Sequence, residues 1–409
     1  MGSPKGRVAS FFLLSLFLVV TGQNCGFDPG FAPLASQETP QENSQNSDVI
    51  LSRKAEVLKL VEPFVDAAGA DVTKSPGLVI GIVTPAESAA WGVGAIEIGR
   101  TLAPTEKTLF GVGSVSKLFT GLILAKYELG GQIRLDELVT SSLPPALGRF
   151  DTRVTFSHLI SHYSGLRMMP DNAAAVGIEN YSLGNLVQCV NNGGCAPQSV
   201  PGTNYVYSNY GIGLLGYALQ NRFSHTDFET MLRSQIAAEA EMSETIVSSN
   251  TALPATPAFE GVRYAFGYTD ANQALPFAKM GLLEPAGGVV TNGEDMVKLL
   301  EVAVGKRTSR LQPVFDRATT VLGDGDVIRG GVDGRDIAFA IDVFNLKDYS
   351  QTCGEDFGDL QVYAKPGATT SHTAYIAWSK VKKTGVVVLS NRAGFNTITC
   401  LSLKVLSRL

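Results

Sequence analysis

Gly113-Ser114-Val115-Ser116-Lys117-Leu118-Phe119 opens a long apolar segment, and within it Ser114 and Lys117 form a Ser-x-x-Lys tetrad. Positions three apart share one face of a helix, so the Ser114 hydroxyl is expected beside the Lys117 amine. A serine hydroxyl is a weak nucleophile until a base takes its proton, and a desolvated lysine can be that base. A helix start adds backbone N–H groups and partial positive charge, both suited to an anion forming on an attacked carbonyl. Leu118, Phe119, Leu122, Ile123, Ala125 and Leu129 spread widely enough to predict a mostly buried helix, and Gly130-Gly131 supplies its stop. Thr108 to Gly113 reads as an extended approach ending in a tight turn. Alone the tetrad says little, since an ordinary helix start also yields it and a second copy runs from Ser379 to Lys382.

The chain has 409 residues, 44% of them hydrophobic and 17% charged, which is enough apolar material for a large core in one or two domains. The net charge of -5 and the absence of basic tracts argue against nucleic acid as a partner. Residues 1–22 read as an export signal: Lys5 and Arg7, an apolar run from Val8 to Val20, then the small residues Thr21-Gly22. That run is too short for a comfortable membrane span. The expected location is periplasmic or extracellular. Cys25, just past the leader, is a candidate for lipid attachment, although the residues before it match a bacterial lipobox poorly. Cys189 and Cys195 bracket a flexible Asn/Gly loop that a disulfide could close, and Cys353 with Cys400 could form a second bridge. Four cysteines allow three pairings, and the sequence does not choose among them.

Residues 23–48, rich in Pro, Gln, Asn and Ser, predict a disordered tether, and 49–409 a single catalytic domain. An amphipathic helix is expected over Val49 to Ala68, then strands over Gly77 to Val83 and Ser88 to Ile96. Residues 131–284 look mainly helical and loop-rich. A helix starts near Asn292. Strands return at Ile337 to Phe344, Leu360 to Ala364, Thr373 to Trp378 and Gly385 to Leu389, before a last helix over Thr397 to Leu406. Strands and helices at both ends around a helical middle predict an α/β fold made by both termini, with a helical insertion.

Two further stretches carry chemistry. Tyr207-Ser208-Asn209 precedes an apolar helix from Ile212 to Leu219. A phenol near two lysines gives up a proton more readily, because positive neighbours favour the phenolate, and the Asn209 amide can donate to a substrate carbonyl. Lys365-Pro366-Gly367-Ala368 follows a strand. Lys365 would supply positive charge to the tyrosine and to a substrate carboxylate, and Gly367 would let the strand approach a ligand closely. The Ala368 N–H could join that of Ser114 in an oxyanion hole.

In this order, Ser-x-x-Lys, Tyr-x-Asn and Lys-x-Gly resemble the serine β-lactamase and penicillin-binding-protein superfamily. The resemblance is nearest to the group of class C β-lactamases, related D-Ala-D-Ala carboxypeptidases and certain esterases. FGVGSVSKLFTG from Phe110, HLISHYSGL from His158, YSNYGIGLL from Tyr207 and PAGGVVTNGEDM from Pro285 support it, and it covers about residues 50 to 409. The resemblance implies a β-lactamase/transpeptidase-like α+β fold, an antiparallel sheet flanked by helices. It implies a monomer with no metal or organic cofactor, Ser114, Lys117 and Tyr207 as catalytic residues, and Asn209, Lys365, Gly367 and Ala368 as substrate-binding residues. Asn396 falls near an asparagine that meets the substrate carboxylate in class C enzymes. The implied substrates are β-lactams and peptidoglycan peptides ending in D-Ala-D-Ala.

Two departures stand out. Pro366 occupies the place where relatives carry a hydroxyl, so that contact is lost or comes from Thr369 or Thr370. The literal Lys383-Thr384-Gly385 lies in a polar turn before a strand and is read as a decoy. His158 and His162, four apart, could share a metal, but no His-Glu-x-x-His pattern supports it. His372 is expected to border the pocket. No Gly-x-Ser-x-Gly elbow or P-loop is present.

Overall fold

Gly77–Val83 is apolar at every position and buried throughout, although its sheet is antiparallel. Both sheet faces must therefore be covered. In a strand successive side chains point to opposite faces. Leu78, Ile80 and Ile82 join a core with Val57 and Val61 of the N-terminal helix Ser44–Val61 and with Leu401 and Val405 of the C-terminal helix Ile398–Arg408. Val79 and Val83 join the larger core on the other face, with Met296, Leu299 and Leu300 of the helix Gly293–Ala303. Asn292 caps that helix, its side chain accepting from the Asp295 N–H.

The computed structural model describes residues 44–248, 264–322 and 335–409, and Asp48–Leu409 form one compact unit. Seven strands make the main sheet, in the order Ser88–Gly94, Gly77–Val83, Thr384–Ser390, Thr373–Ser379, Gln361–Ala368, Asp342–Asn345 and Asp336–Ile337. Each neighbouring pair is antiparallel. The third strand belongs to the last part of the chain, with Ile80 opposite Val388 and Val79 opposite Leu389. Both ends of the domain thus build one sheet, and the segment between them forms the helical layer.

A buried polar knot fastens this junction. Asn391 accepts from the Gly77 N–H at 2.8 Å and donates to the Ala95 carbonyl at 3.2 Å. Ser75 and Ser390 hydroxyls meet at 2.7 Å, and the Arg392 guanidinium donates to the carbonyls of Lys74 and Thr269. Asn391 and Arg392 bond to backbone from distant parts of the chain, which makes the knot specific as well as stabilising.

Most expected elements appear, with shifted ends. The first helix starts at Ser44 and closes in a 3-10 turn at Glu62–Phe64, so it takes in the last residues assigned to the tether. The strand expected over Ile337 to Phe344 is two strands joined by a tight turn. Ala340 has a φ of 57°, and the Ala338 N–H donates to the Ile341 carbonyl. An apolar run broken only by Asp342 reads as one buried strand, and its turn contains no Gly, Pro or Asn to betray it. The disulfides are Cys189–Cys195 and Cys353–Cys400. The second ties the short helix Ser350–Cys353 to the C-terminal helix. The predicted leader, most of the tether and Cys25 lie outside the described residues. Among the described residues no helix is long and apolar enough to cross a membrane.

His372 does not line the pocket as expected. It is fully buried between the rings of Phe110 and Phe277, with Nδ1 3.0 Å from the Ser371 hydroxyl. Burial pushes its imidazole down to about 4, from an ordinary value of about 6.5. Below pH 6.5 the unfolded chain binds a proton that the folded chain refuses, so stability falls as pH drops from 6.5 towards 4. The loss from this one group is roughly 3 kcal/mol. Urea titrations at pH 7 and pH 4.5 check this: His372→Gln should lose less stability between the two than wild type, and equal losses would sink the assignment.

Candidate active site

Ser114 lies in a 3-10 turn, Gly113–Val115, that leads into the buried helix Ser116–Leu129. It precedes the helix proper by two residues, yet the expected neighbourhood with Lys117 forms. Two glycines let a strand press on this turn. Gly113 has a φ of +49°, and a Cβ there would overlap the Ala368 carbonyl. A Cβ on Gly367 would overlap the Val112 carbonyl and stand 3.1 Å from the Ser114 nitrogen. The end of the strand Gln361–Ala368 therefore lies backbone against backbone on the serine turn, which brings the Ala368 backbone beside that of Ser114.

Lys117 is fully buried. Its Nζ lies 2.6 Å from the Ala286 carbonyl oxygen, 2.7 Å from Asn209 Oδ1 and 3.0 Å from Ser114 Oγ. Burial, and next the positive charge of Lys365, hold its amine well below the ordinary lysine range. A neutral amine has two N–H donors and one lone pair. In that form the two carbonyl oxygens would use the donors, leaving the lone pair for the Ser114 hydroxyl.

Tyr207 donates its phenol to Ser114 Oγ at 2.7 Å. The Nζ atoms of Lys117 and Lys365 lie 4.9 and 5.5 Å from the centroid of its ring. The expectation that these lysines favour the phenolate is corrected here. Burial dominates and pushes the phenol up; the Ser114 hydrogen bond opposes this only in part. In the resting site Tyr207 is a proton donor. Ser208 holds it in place by capping the helix Asn209–Arg222, accepting from the Gly211 N–H at 2.7 Å and donating to the Arg167 carbonyl at 2.6 Å. Asn209, first in that helix, turns its oxygen to Lys117 and its Nδ2 to Met169 Sδ at 3.5 Å. A thioether is a weak acceptor, so the amide N–H remains able to donate to a substrate.

Lys365 is buried, with Nζ 3.8 Å from Asp342 Oδ1. Asp342 Oδ2 pairs with Arg335 at 3.0 Å. Burial lowers the Lys365 amine, while the Asp342 carboxylate works against that fall. These three residues, with Ser114, Tyr205, Tyr207, Asn209, Met168, Pro366, Gly367, Ala368 and Asn396, line a cavity of about 550 Å³. The site thus gathers the tetrad, the tyrosine loop and the Lys365 strand around one opening.

A model of the Beta-lactamase family matches residues 59–401. The chain belongs to the Beta-lactamase family. It is accordingly a serine hydrolase. It is 25% identical over 345 residues to a beta-lactamase of Psychrobacter immobilis, covering 79% of this chain and 80% of that protein. With a beta-lactamase of Escherichia coli K12 it shares 24% over 340 residues, covering 78% and 85%. Among solved structures, a class C beta-lactamase superposes with a TM-score of 0.71 at 21% identity, over 90% of this chain and all of the other. A D-alanine carboxypeptidase AmpC from Burkholderia cenocepacia gives 0.67 at 22%, over 90% and 99%. These likenesses establish the β-lactamase/transpeptidase fold.

Against the family pattern, Thr369 does not replace the hydroxyl missing at Pro366. Its Oγ1 accepts from the Ser371 and His372 N–H groups within a turn, and neither it nor Thr370 lines the cavity. Thr373 and Thr399 do line it, and Thr373 donates to the Arg392 carbonyl. Lys383 is exposed in a hairpin turn with a φ of 54°, apart from the cavity. The two neighbouring histidines do not converge: His158 Nδ1 accepts from the Thr155 N–H, whereas His162 packs on Tyr207 with ring centroids 4.6 Å apart. His162 Nδ1 also accepts from the Ser208 N–H at 3.2 Å. Asn396 is exposed at the cavity rim. Sequence reading missed the Ala286 carbonyl, Asp342 and Arg335. A lone acid inside the apolar run Phe339-Ala340-Ile341-Asp342-Val343-Phe344 was the available signal for Asp342.

The Gly367 approach makes a direct prediction. Gly367→Ala should displace the strand from the Ser114 turn and lower kcat/KM by about 10²-fold or more, comparable to losing one oxyanion donor. Circular dichroism should show the fold retained. Near-wild-type kinetics would mean that the strand is free to withdraw.

Proposed function

We propose that Ser114 is the nucleophile of an acyl-enzyme hydrolase whose substrates are peptidoglycan peptides ending in D-Ala-D-Ala. The observation that carries the chemistry is the convergence of Lys117 Nζ at 3.0 Å and the Tyr207 phenol at 2.7 Å on Ser114 Oγ. Lys117, buried and neutral, takes the serine proton as Oγ adds to the substrate carbonyl. The N–H groups of Ser114 and Ala368 hold the resulting oxyanion. Collapse expels the leaving amine, which receives a proton through Tyr207, and the proton on Lys117 restores the phenol. Water then attacks the ester carbonyl and gives a proton to the same pair, which passes it to Ser114 Oγ as the ester bond breaks and the acyl product leaves. Asn209 orients the acyl chain through its Nδ2. Lys365 holds the substrate carboxylate, with Asn396 at the rim.

The peptidase reading is supported by Pro366, which offers the cavity neither a hydroxyl nor an N–H where efficient β-lactamases carry a hydroxyl. The named relatives favour a second reading, hydrolysis of β-lactams by the same steps. The two differ in how fast water attacks the acyl-enzyme, about 1.4 kcal/mol of barrier per tenfold in rate. The apolar leader and two disulfides support action outside the cytoplasm.

A fluorescent penicillin separates these readings. Lasting label together with release of D-Ala from a D-Ala-D-Ala peptide is the expected result; rapid turnover without label marks a β-lactamase. Ser114→Ala should abolish labelling and lower turnover by roughly 10⁴-fold or more. No reaction with penicillin, esters or peptide would exclude the acyl-enzyme reading. Lys365→Ala should lower kcat/KM by about 10²-fold while Lys383→Ala leaves it unchanged, because charge acts at the cavity and not at the hairpin turn.

A further inference from the structure

Asp342 is an acid in a place where acids are rare. It begins the strand Asp342–Asn345, is 6% exposed, and lies between the buried residues Ile341 and Val343. It pairs in register with Ala364, the neighbour of Lys365. One carboxylate oxygen faces Lys365 Nζ at 3.8 Å and the other faces Arg335 at 3.0 Å. The groups around this pair come from every adjoining element: Tyr375 on the next strand, Tyr205 and Tyr207 on the tyrosine loop, His162 behind that loop, and Lys117 on the serine helix. Burial keeps the three phenols and the imidazole neutral. Among the described residues, the charges that remain are those of Arg335, Asp342 and the two lysines.

Two buried amines against one ring compete to be the ammonium, because placing two positive charges side by side away from water is unfavourable. The carboxylate stands beside Lys365. Among the described residues, the hydrogen-bond partners of Lys117 are two carbonyl oxygens and one hydroxyl oxygen. We propose that Asp342, held by Arg335, is a positioning residue that keeps the charge on Lys365 and thereby leaves Lys117 uncharged and able to take the Ser114 proton. This rests on the reading of Lys117 as the base. Without the carboxylate, the Lys365 ammonium would lose its attraction to Asp342 and keep its repulsion from Arg335. The proton would then settle on Lys117, whose three oxygen neighbours suit an ammonium.

The pH profile of kcat/KM tests this, with a chromogenic cephalosporin or an activated ester as substrate. Lys117 must be unprotonated to act, so the rate falls on the acid side as pH drops through its titration. Asp342→Asn should move that acid limb to higher pH by about one unit or more, a tenfold loss at a pH on the limb. Asp342→Glu should bring it back. A purely structural role would lower the rate equally at every pH and leave the limb in place, and that result, or a shift to lower pH, overturns the proposal. If Asp342→Asn does not accumulate as folded protein, Lys365→Gln replaces it: the limb should move the same way, and an unmoved limb is again decisive against it. Loss of all reaction in wild type would instead refute the acyl-enzyme reading, so the two failures are distinguishable.

Discussion

The buried amine of Lys117 is the constraint around which the rest of the site is arranged. It reaches the Ala286 carbonyl and the Asn209 side chain, 169 and 92 positions away along the chain, and the serine three residues before it. One nitrogen thereby joins the serine helix, the short helix Glu284–Gly287 and the start of the tyrosine-loop helix. Burying an amine without a carboxylate beside it is tolerable only if it sheds its charge and its N–H groups are satisfied. Burial holds the amine well below the ordinary lysine range and two carbonyl oxygens take its N–H groups, which are the conditions that the proposed role as base requires. The structural demand and the chemical one coincide in a single atom.

The sheet supplies what the helices cannot. Its strand Gln361–Ala368 carries Lys365 and presses on the serine turn because Gly113 and Gly367 leave no side chain between the two backbones. That strand stays in place through pairing on both sides, with Thr373–Ser379 and Asp342–Asn345. The sheet in turn is closed by Gly77–Val83 meeting Thr384–Ser390, with the Asn391 and Ser75 knot at the seam. Cavity geometry therefore depends on contacts between opposite ends of the domain.

Much of the fold was legible because its elements follow simple periods. The strands of the two ends, the serine helix and the helix capped by Asn292 are strongly patterned, and their ends moved by only a few residues. The Ala338–Ile341 turn was not legible, because its residues are apolar and Ala340 takes a positive φ that its side chain does not advertise. In the site, Ser114, Lys117, Tyr207, Asn209 and Lys365 could be singled out because their types and spacings carry chemistry. The Ala286 carbonyl could not, since any residue offers one. His372, next to a motif in sequence, belongs to the core in space. The protonation of Tyr207 ran opposite to expectation because two cations were counted and burial was not.

The sequence by itself determined the family, the continuous apolar runs that bury both sheet faces, and which side chains are candidates for nucleophile, base and cation. Those follow from residue types and local spacing, which are written along the chain. Only the tertiary structure decided which cysteines pair, which lysine has a carboxylate beside it, and which lies among carbonyl and hydroxyl oxygens. Such outcomes depend on burial and on distances of a few ångströms between residues far apart in sequence, and electrostatic energies in a low-dielectric interior change steeply over those distances.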